Sequence, residues 1–114
     1  MSDPEFEFPA VVRDLPEIDI TLPGVRGWPL QGESKQVVFF DIEPVGVIPE
    51  HAHGAQFGVV LDGEMSLTIG GETRRYGRGD SYFIPAGAPH RAVFHSRFRA
   101  IDVFDEAARY RSKR

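Results

Sequence analysis

His51 and His53 are separated by one residue. On an extended chain that spacing puts both imidazoles on one face, about 6–7 Å apart along the strand. Two imidazoles so placed can converge on one ion, with metal–nitrogen bonds near ~2.0–2.1 Å. His-x-His pairs also arise by chance on surface strands, so the pair points to metal only in company with further ligands. The chain has four histidines and no cysteine. Disulfides, thiolate metal sites and a cysteine nucleophile are therefore excluded, and any metal is held by nitrogen and oxygen. A second chemical candidate is Asp102, which shares a strand face with Phe104 if alternation holds. A carboxylate facing a metal pocket can act as general base, its pKa set by burial and the nearby cation. The competing structural reading is a strand-end aspartate paired with Arg99 or Arg109.

The elements that must position these residues are short strands. After Gln36, apolar runs alternate with turn residues at near-regular spacing. Val37–Glu43 reads as a strand ended by Pro44, and Val47–His53 as an extended segment containing Pro49. Phe57–Leu61 stops at Asp62-Gly63, a hairpin signal. Met65, Leu67 and Ile69 alternate with polar residues, as a half-buried strand does. Gly70-Gly71 turns the chain into Glu72–Tyr76, and Gly77 and Gly79 bracket another turn. Ser81–Ile84, Arg91–His95 and Phe98–Phe104 follow as strands. Only Glu106–Arg111 reads as helical, a short C-terminal helical turn. This punctuation predicts an all-β sandwich or barrel.

Residues 1–30 differ in texture. Pro4, Pro9, Pro16, Pro23 and Pro29 are expected to exclude a helix or a central strand there. The stretch is expected to be an extended arm, with a short edge strand near Val11-Val12-Arg13. Phe6, Phe8, Ile18, Ile20 and Leu22 make it too apolar for a plain disordered tail, so it should pack on the barrel or on a partner subunit. Residues 31–114 form the barrel domain. A homodimer is expected, because the apolar arm and the edge strands need cover.

The net charge of −4 carries no basic stripe, which argues against nucleic acid as partner. No apolar run approaches the ~20 residues that span a bilayer, so no membrane partner is expected. The start Ser2-Asp3-Pro4-Glu5 is unlike a secretory signal, and a cytoplasmic location is expected. Arg109, Arg111, Lys113 and Arg114 form a basic tail, read as a solvated terminus. His95 is read as a surface residue. Gly77-Arg78-Gly79 lacks the third glycine and the helix of a phosphate loop. Tyr82, Phe40 and Trp28 are taken first as core or interface aromatics.

Downstream of the histidine pair the chain reads Gly79-Asp80-Ser81-Tyr82-Phe83-Ile84-Pro85-Ala86-Gly87-Ala88-Pro89-His90. This segment resembles the second motif of the cupin superfamily, G-x5-P-x-G-x2-H, at every fixed position. Gly46-x4-His51-x-His53-x2-Gln56-x6-Gly63 resembles the first motif, G-x5-H-x-H-x3/4-E-x6-G. Two of its spacings are short by comparison, Gln56 stands where glutamate is usual, and Phe94 where asparagine is frequent. The resemblance implies an antiparallel jelly-roll barrel of six to eight strands. It also implies one divalent transition metal held inside one end by His51, His53, Gln56 and His90. Pro85 and Pro89 would stiffen the loop that presents His90.

Three neutral imidazoles and a neutral amide would leave the ion's full charge in the site, giving a stronger Lewis acid. Such an ion favours anionic or chelating oxygen ligands. Imidazole plus oxygen suits Fe, Mn, Ni, Co or Zn alike. The run Asp102-Val103-Phe104 resembles the Asp-x-Phe of small cupins that open unsaturated uronates and that also use a His, His, Gln, His site. The implied function is Lewis-acid metal catalysis on a small oxygen-rich compound, a sugar acid, keto acid or enediol, by isomerase, lyase or dioxygenase chemistry. The alternative is a cupin that binds or senses a small-molecule ligand without turnover.

Overall fold

The structure, a computed structural model, describes residues 6–44 and 47–113. Gly46, the first glycine of the histidine-bearing motif, lies outside the described residues. The described chain forms one short helix and nine strands. These are α1 (Ala10–Arg13), β1 (Val25–Gln31), β2 (Gln36–Ile42), β3 (Val47–His51), β4 (Gln56–Asp62), β5 (Met65–Ile69), β6 (Glu72–Tyr76), β7 (Ser81–Ile84), β8 (His90–Phe94) and β9 (Phe98–Phe104). Every strand pairing is antiparallel. A five-stranded sheet, β1-β2-β9-β4-β7, faces a four-stranded sheet, β3-β8-β5-β6. This is the antiparallel jelly-roll barrel that the resemblance implies, with nine strands among the described residues where six to eight were expected.

The core lies between the two sheets because alternate residues of each strand point there. Val38 and Phe40 on β2, Ala100 and Phe104 on β9, and Val60 on β4 meet Met65 and Leu67 on β5 and Phe94 on β8. Full burial of each large apolar side chain stabilises the fold by about 1.5–3 kcal/mol. Gly70 and Gly71 both have positive φ and close a two-residue hairpin between Ile69 and Glu72. Non-glycine residues at both positions would be strained there.

Three local expectations differ from the structure. Asp62-Gly63 makes no hairpin: β4 pairs with β7 and β9, whereas β5 pairs with β6 and β8. Gly63 carries the chain from one sheet to the other, at φ +89 and with no room for a Cβ against the Arg97 carbonyl. Val11-Val12-Arg13 is not an edge strand but part of α1, a single helical turn in a stretch expected to hold no helix; Pro9 precedes its first residue, where a missing N–H costs nothing. The C-terminal segment 106–111 runs through irregular turns rather than a helical one. It ends in a bridge between Ser112 and Ile18.

The proline-bearing strand β1 lies at a sheet edge, where a missing N–H is tolerated. Among the described residues, the N-terminal arm packs on its own barrel. Phe8 makes edge-on ring contacts with Trp28 and Phe39. The Phe6 carbonyl accepts a 2.8 Å hydrogen bond from Arg99. Beneath it, Arg99 is fully buried and donates to Asp62 at 2.9 Å. At the other terminus, the Gln36 side chain clasps the Tyr110 backbone, donating to its carbonyl and accepting from its N–H, each at 3.0 Å. Among the described residues, no helix is long and apolar enough to cross a membrane.

Candidate metal centre

β3 and β8 pair with His51 directly opposite His90, so the register of the four-stranded sheet brings the two motifs together. His53 follows two residues beyond His51. The loop before His90 is tied to it: the Gly87 N–H donates to the His53 carbonyl at 2.8 Å, with Gly87 at positive φ. Gly87 thus has the conformational task the motif demands of it, because only glycine takes that backbone cheaply. Ring centroids lie 5.1 Å apart for His51–His53, 4.2 Å for His51–His90 and 4.7 Å for His53–His90.

All three rings are oriented alike. Each Nδ1 lies on a backbone carbonyl: His51 on Pro49 at 2.9 Å, His53 on Gly54 at 2.8 Å and His90 on Ala88 at 2.9 Å. A carbonyl oxygen only accepts, so each Nδ1 carries the proton and each Nε2 keeps its lone pair. The nitrogen ligand atoms of the three rings lie within 4.8 Å of one another, a group that could hold a metal ion. Two bonds of ~2.1 Å to one ion set an upper limit near ~4.2 Å, which small ring rotations reach. Burial pushes the His53 imidazole down to about 4 and lowers His90 as well. The backbone hydrogen bonds oppose both shifts, and the positive charge of Arg109 assists them. Both rings are neutral near pH 7, the form that binds metal. His53 Nε2 is buried without a hydrogen-bond partner, the orphaned polar atom that a ligated ion would satisfy.

The three histidines share one cavity of about 60 Å³ with Gln56, Tyr82 and Asp102. One water needs ~10–15 Å³, so the cavity admits several waters or a small polar group. Its other walls are apolar and include Phe40, Phe94 and Phe104. Gln56 donates from Nε2 to Asp102 Oδ2 at 2.6 Å. The Tyr82 hydroxyl donates to the same oxygen at 2.7 Å. Asp102 is 1% exposed, and its Oδ1 is buried without a partner. Burial pushes its carboxyl up to about 6, against the lowering effect of the two donors.

The alternative reading of Asp102 as a partner of Arg99 or Arg109 does not hold. Alternation on β9 puts Arg99 on the opposite face, where it pairs with Asp62. Asp102 and Phe104 do share the inner face, and the Phe104 ring packs 5.6 Å from that of His53. His95 bonds the Ser66 hydroxyl on an exposed surface, away from the cavity. Trp28 is buried beneath the arm rather than lining the cavity.

Arg109 is the residue that sequence reasoning missed. Read as part of a solvated tail, it instead folds over the site, with its guanidinium 4.3 Å from the Tyr110 ring centroid and 5.7 Å from that of Phe104. Its Nε is buried without a partner. An outer hollow of about 390 Å³ is lined by Arg109, Ala52 and Leu22, and His51 and Tyr110 border both this hollow and the inner cavity. That size lies within the ~300–1,000 Å³ of small-molecule sites.

Residues 38–104 match the family described as the cupin domain. No curated protein matches the chain. Among solved structures, KdgF from Halomonas sp. is 25% identical and superposes with a TM-score of 0.73, over 85% of this chain and 90% of that one. An RmlC-like cupin from Shewanella frigidimarina is 25% identical with a TM-score of 0.76, over 95% of both chains. Oxalate decarboxylase from Bacillus subtilis, a protein with Mn(II) centres, shares the fold at 20% identity and a TM-score of 0.72. The match covers 85% of this chain and 29% of that one.

Proposed function

The chain belongs to the cupin family, and we propose that it is a metal-dependent enzyme acting on a small carboxylate-bearing compound, by proton transfer of the isomerase or lyase type. The observation that carries this reading is the sharing of one cavity by three Nε2 lone pairs and a buried, half-bonded carboxylate. A divalent ion held by His51, His53 and His90 would supply Lewis acidity to a substrate carbonyl or carboxylate oxygen.

The chain's own residues account for the rest. Tyr82 and Gln56 hold Asp102 Oδ2, leaving Oδ1 to take a proton from a substrate carbon or hydroxyl. A carboxyl near 6 is mostly ionised at neutral pH yet basic enough to accept that proton. Gln56, bonded to Asp102 through its nitrogen, keeps its amide oxygen as a fourth ligand atom. Arg109 at the outer hollow suits a substrate carboxylate, which its planar fork binds in two-point fashion. The aromatic walls exclude water around the reacting atoms. These features favour a sugar acid or keto acid, in keeping with the Asp102-x-Phe104 resemblance to uronate-opening cupins.

The test is a panel of unsaturated uronates and keto acids, followed by proton NMR in deuterated water under argon, with protein loaded in turn with zinc, nickel, manganese or iron(II). Turnover without oxygen, with solvent deuterium in the product and loss of activity in Asp102→Asn at unchanged metal content, is the expected result. Turnover only with iron and oxygen would make the protein a dioxygenase. The apolar walls at Phe40, Phe94 and Phe104 favour a second reading, a ligand-binding cupin. Saturable binding without turnover would establish it.

A further inference from the structure

The inner cavity holds about 60 Å³ and the outer hollow about 390 Å³. At ~10–15 Å³ for each water-sized group, the inner cavity has room for about four to six heavy atoms, a bound ion included. A carbonyl and its two flanking carbons fill most of it, so the rest of any larger substrate lies in the hollow. Ile48, His51 and Tyr110 border both spaces.

Much of the hollow is built from chain outside the cupin domain at 38–104. Ile20 and Leu22 come from the N-terminal arm, Arg109 and Tyr110 from the C-terminal segment. Backbone hydrogen bonds lay these two stretches side by side. The Asp19 N–H donates to the Arg111 carbonyl and the Lys113 N–H to the Glu17 carbonyl, each at 2.7 Å. Ile20, Leu22 and Ile48 are half-buried against the core and turn apolar surface to the hollow. Among the described residues, the polar side chains on its walls are His51, Arg109 and Tyr110, and no carboxylate lines it. Both nitrogens of His51 are engaged, Nδ1 on the Pro49 carbonyl at 2.9 Å and Nε2 in the metal group. The Tyr110 ring packs 6.0 Å from that of Phe40 and 5.6 Å from that of Phe104. The hollow therefore presents one cation, Arg109, beside aliphatic walls.

We propose that the substrate is a 2-keto acid with an aliphatic chain, not a polyhydroxylated sugar acid. Its carboxylate lies on Arg109, its keto group in the inner cavity and its chain on Ile20, Leu22 and Ile48. The inference rests on the metal-dependent proton-transfer reading above and narrows its substrate class. A sugar acid turns several hydroxyls to these walls, and a hydroxyl that leaves water without finding a partner opposes binding. An alkyl chain meets no such opposition, and each methylene fully removed from water tightens binding about fourfold.

Calorimetric titration of the zinc-loaded full chain with pyruvate, 2-oxobutanoate, 2-oxopentanoate and 4-methyl-2-oxopentanoate, against galacturonate, tests the proposal. Kd should fall about two- to fourfold for each added carbon, and 4-methyl-2-oxopentanoate should bind at least about tenfold more tightly than galacturonate. Ile20→Ser and Leu22→Ser should flatten the series yet leave pyruvate within about twofold, because pyruvate has no chain to reach them. Leu22→Met, which conserves volume, should keep the gradient. Proton NMR of the same samples in deuterated water follows exchange at carbon 3 and reports on proton transfer separately. A graded series without exchange would support the aliphatic chain and refute the proton-transfer reading; exchange with a flat series would do the reverse. A flat series in the wild-type chain, tighter binding of galacturonate, or no binding of any keto acid would overturn the proposal. So would serine variants that keep the full gradient.

Discussion

Gly58 on β4 lies directly between Tyr82 on β7 and Asp102 on β9, its register partner on each neighbouring strand. The missing side chain lets the tyrosine hydroxyl cross β4 and donate to the Asp102 carboxylate at 2.7 Å. A Cβ at Gly58 would overlap both the Tyr82 ring and the carboxylate. Gly58→Ala should therefore destabilise the fold by about 1–3 kcal/mol, the usual cost of overpacking. Tyr82→Phe should be tolerated structurally, yet raise the Asp102 pKa and move the acidic limb of any pH–rate profile upward. Thermal melts and that profile check the pair.

The pH dependence of stability has a definite sign. Asp102 titrates at about 6 in the folded state against 3.8 in the unfolded chain. The folded protein holds the extra proton between those values, so this contribution to stability is full below 3.8 and lost as pH rises through 6. His53 works oppositely: at about 4 folded against 6.5 unfolded, it destabilises the metal-free protein as pH falls from 6.5 towards 4. Asp102→Asn removes only the first effect. It should raise the melting temperature of metal-free protein by several degrees at pH 8 and by much less at pH 4. An equal shift at both values would contradict the buried-carboxylate assignment.

Gln56→Glu adds a negative charge facing the three imidazoles. Divalent binding should tighten at least about tenfold, equivalent to about 1.4 kcal/mol, in competition titrations with a chelator. The same substitution replaces the donor at Asp102 Oδ2 with a second carboxylate, so turnover should fall while affinity rises. Unchanged or weaker affinity would remove Gln56 from the ligand set.

Arg109→Ala should raise KM for an anionic substrate by about ten- to a hundredfold, the range of a lost charged hydrogen bond, with a smaller effect on kcat. Arg109→Lys should recover part of it. A substrate ester should be insensitive to either change. Steady-state kinetics on acid and ester make the comparison.

Much of this was legible in the sequence because it is local. Alternation in β5, the Gly70-Gly71 turn and the paired histidine motifs each occupy a few consecutive residues. What escaped notice depends on contacts between distant segments. Arg109 sits in an irregular stretch with no periodicity, and its place is set by the clasp of Gln36, 74 residues away, on Tyr110. The bond from Tyr82 to Asp102 follows from three-strand register, which no single strand reveals. Asp62-Gly63 has hairpin chemistry, but packing of Gly63 against the Arg97 carbonyl sends the chain to the opposite sheet. At α1, Pro9 starts a helical turn that overrides the β-branched Val11-Val12 pair.

The convergence of His51, His53 and His90 on one ion is tested most directly by elemental analysis after equilibration with a divalent metal and removal of the excess. The account predicts one equivalent per wild-type chain and its loss in both His51→Ala and His90→Ala, with the β-sheet spectrum retained. A wild-type chain that takes up no metal, or variants that keep a full equivalent, would contradict it.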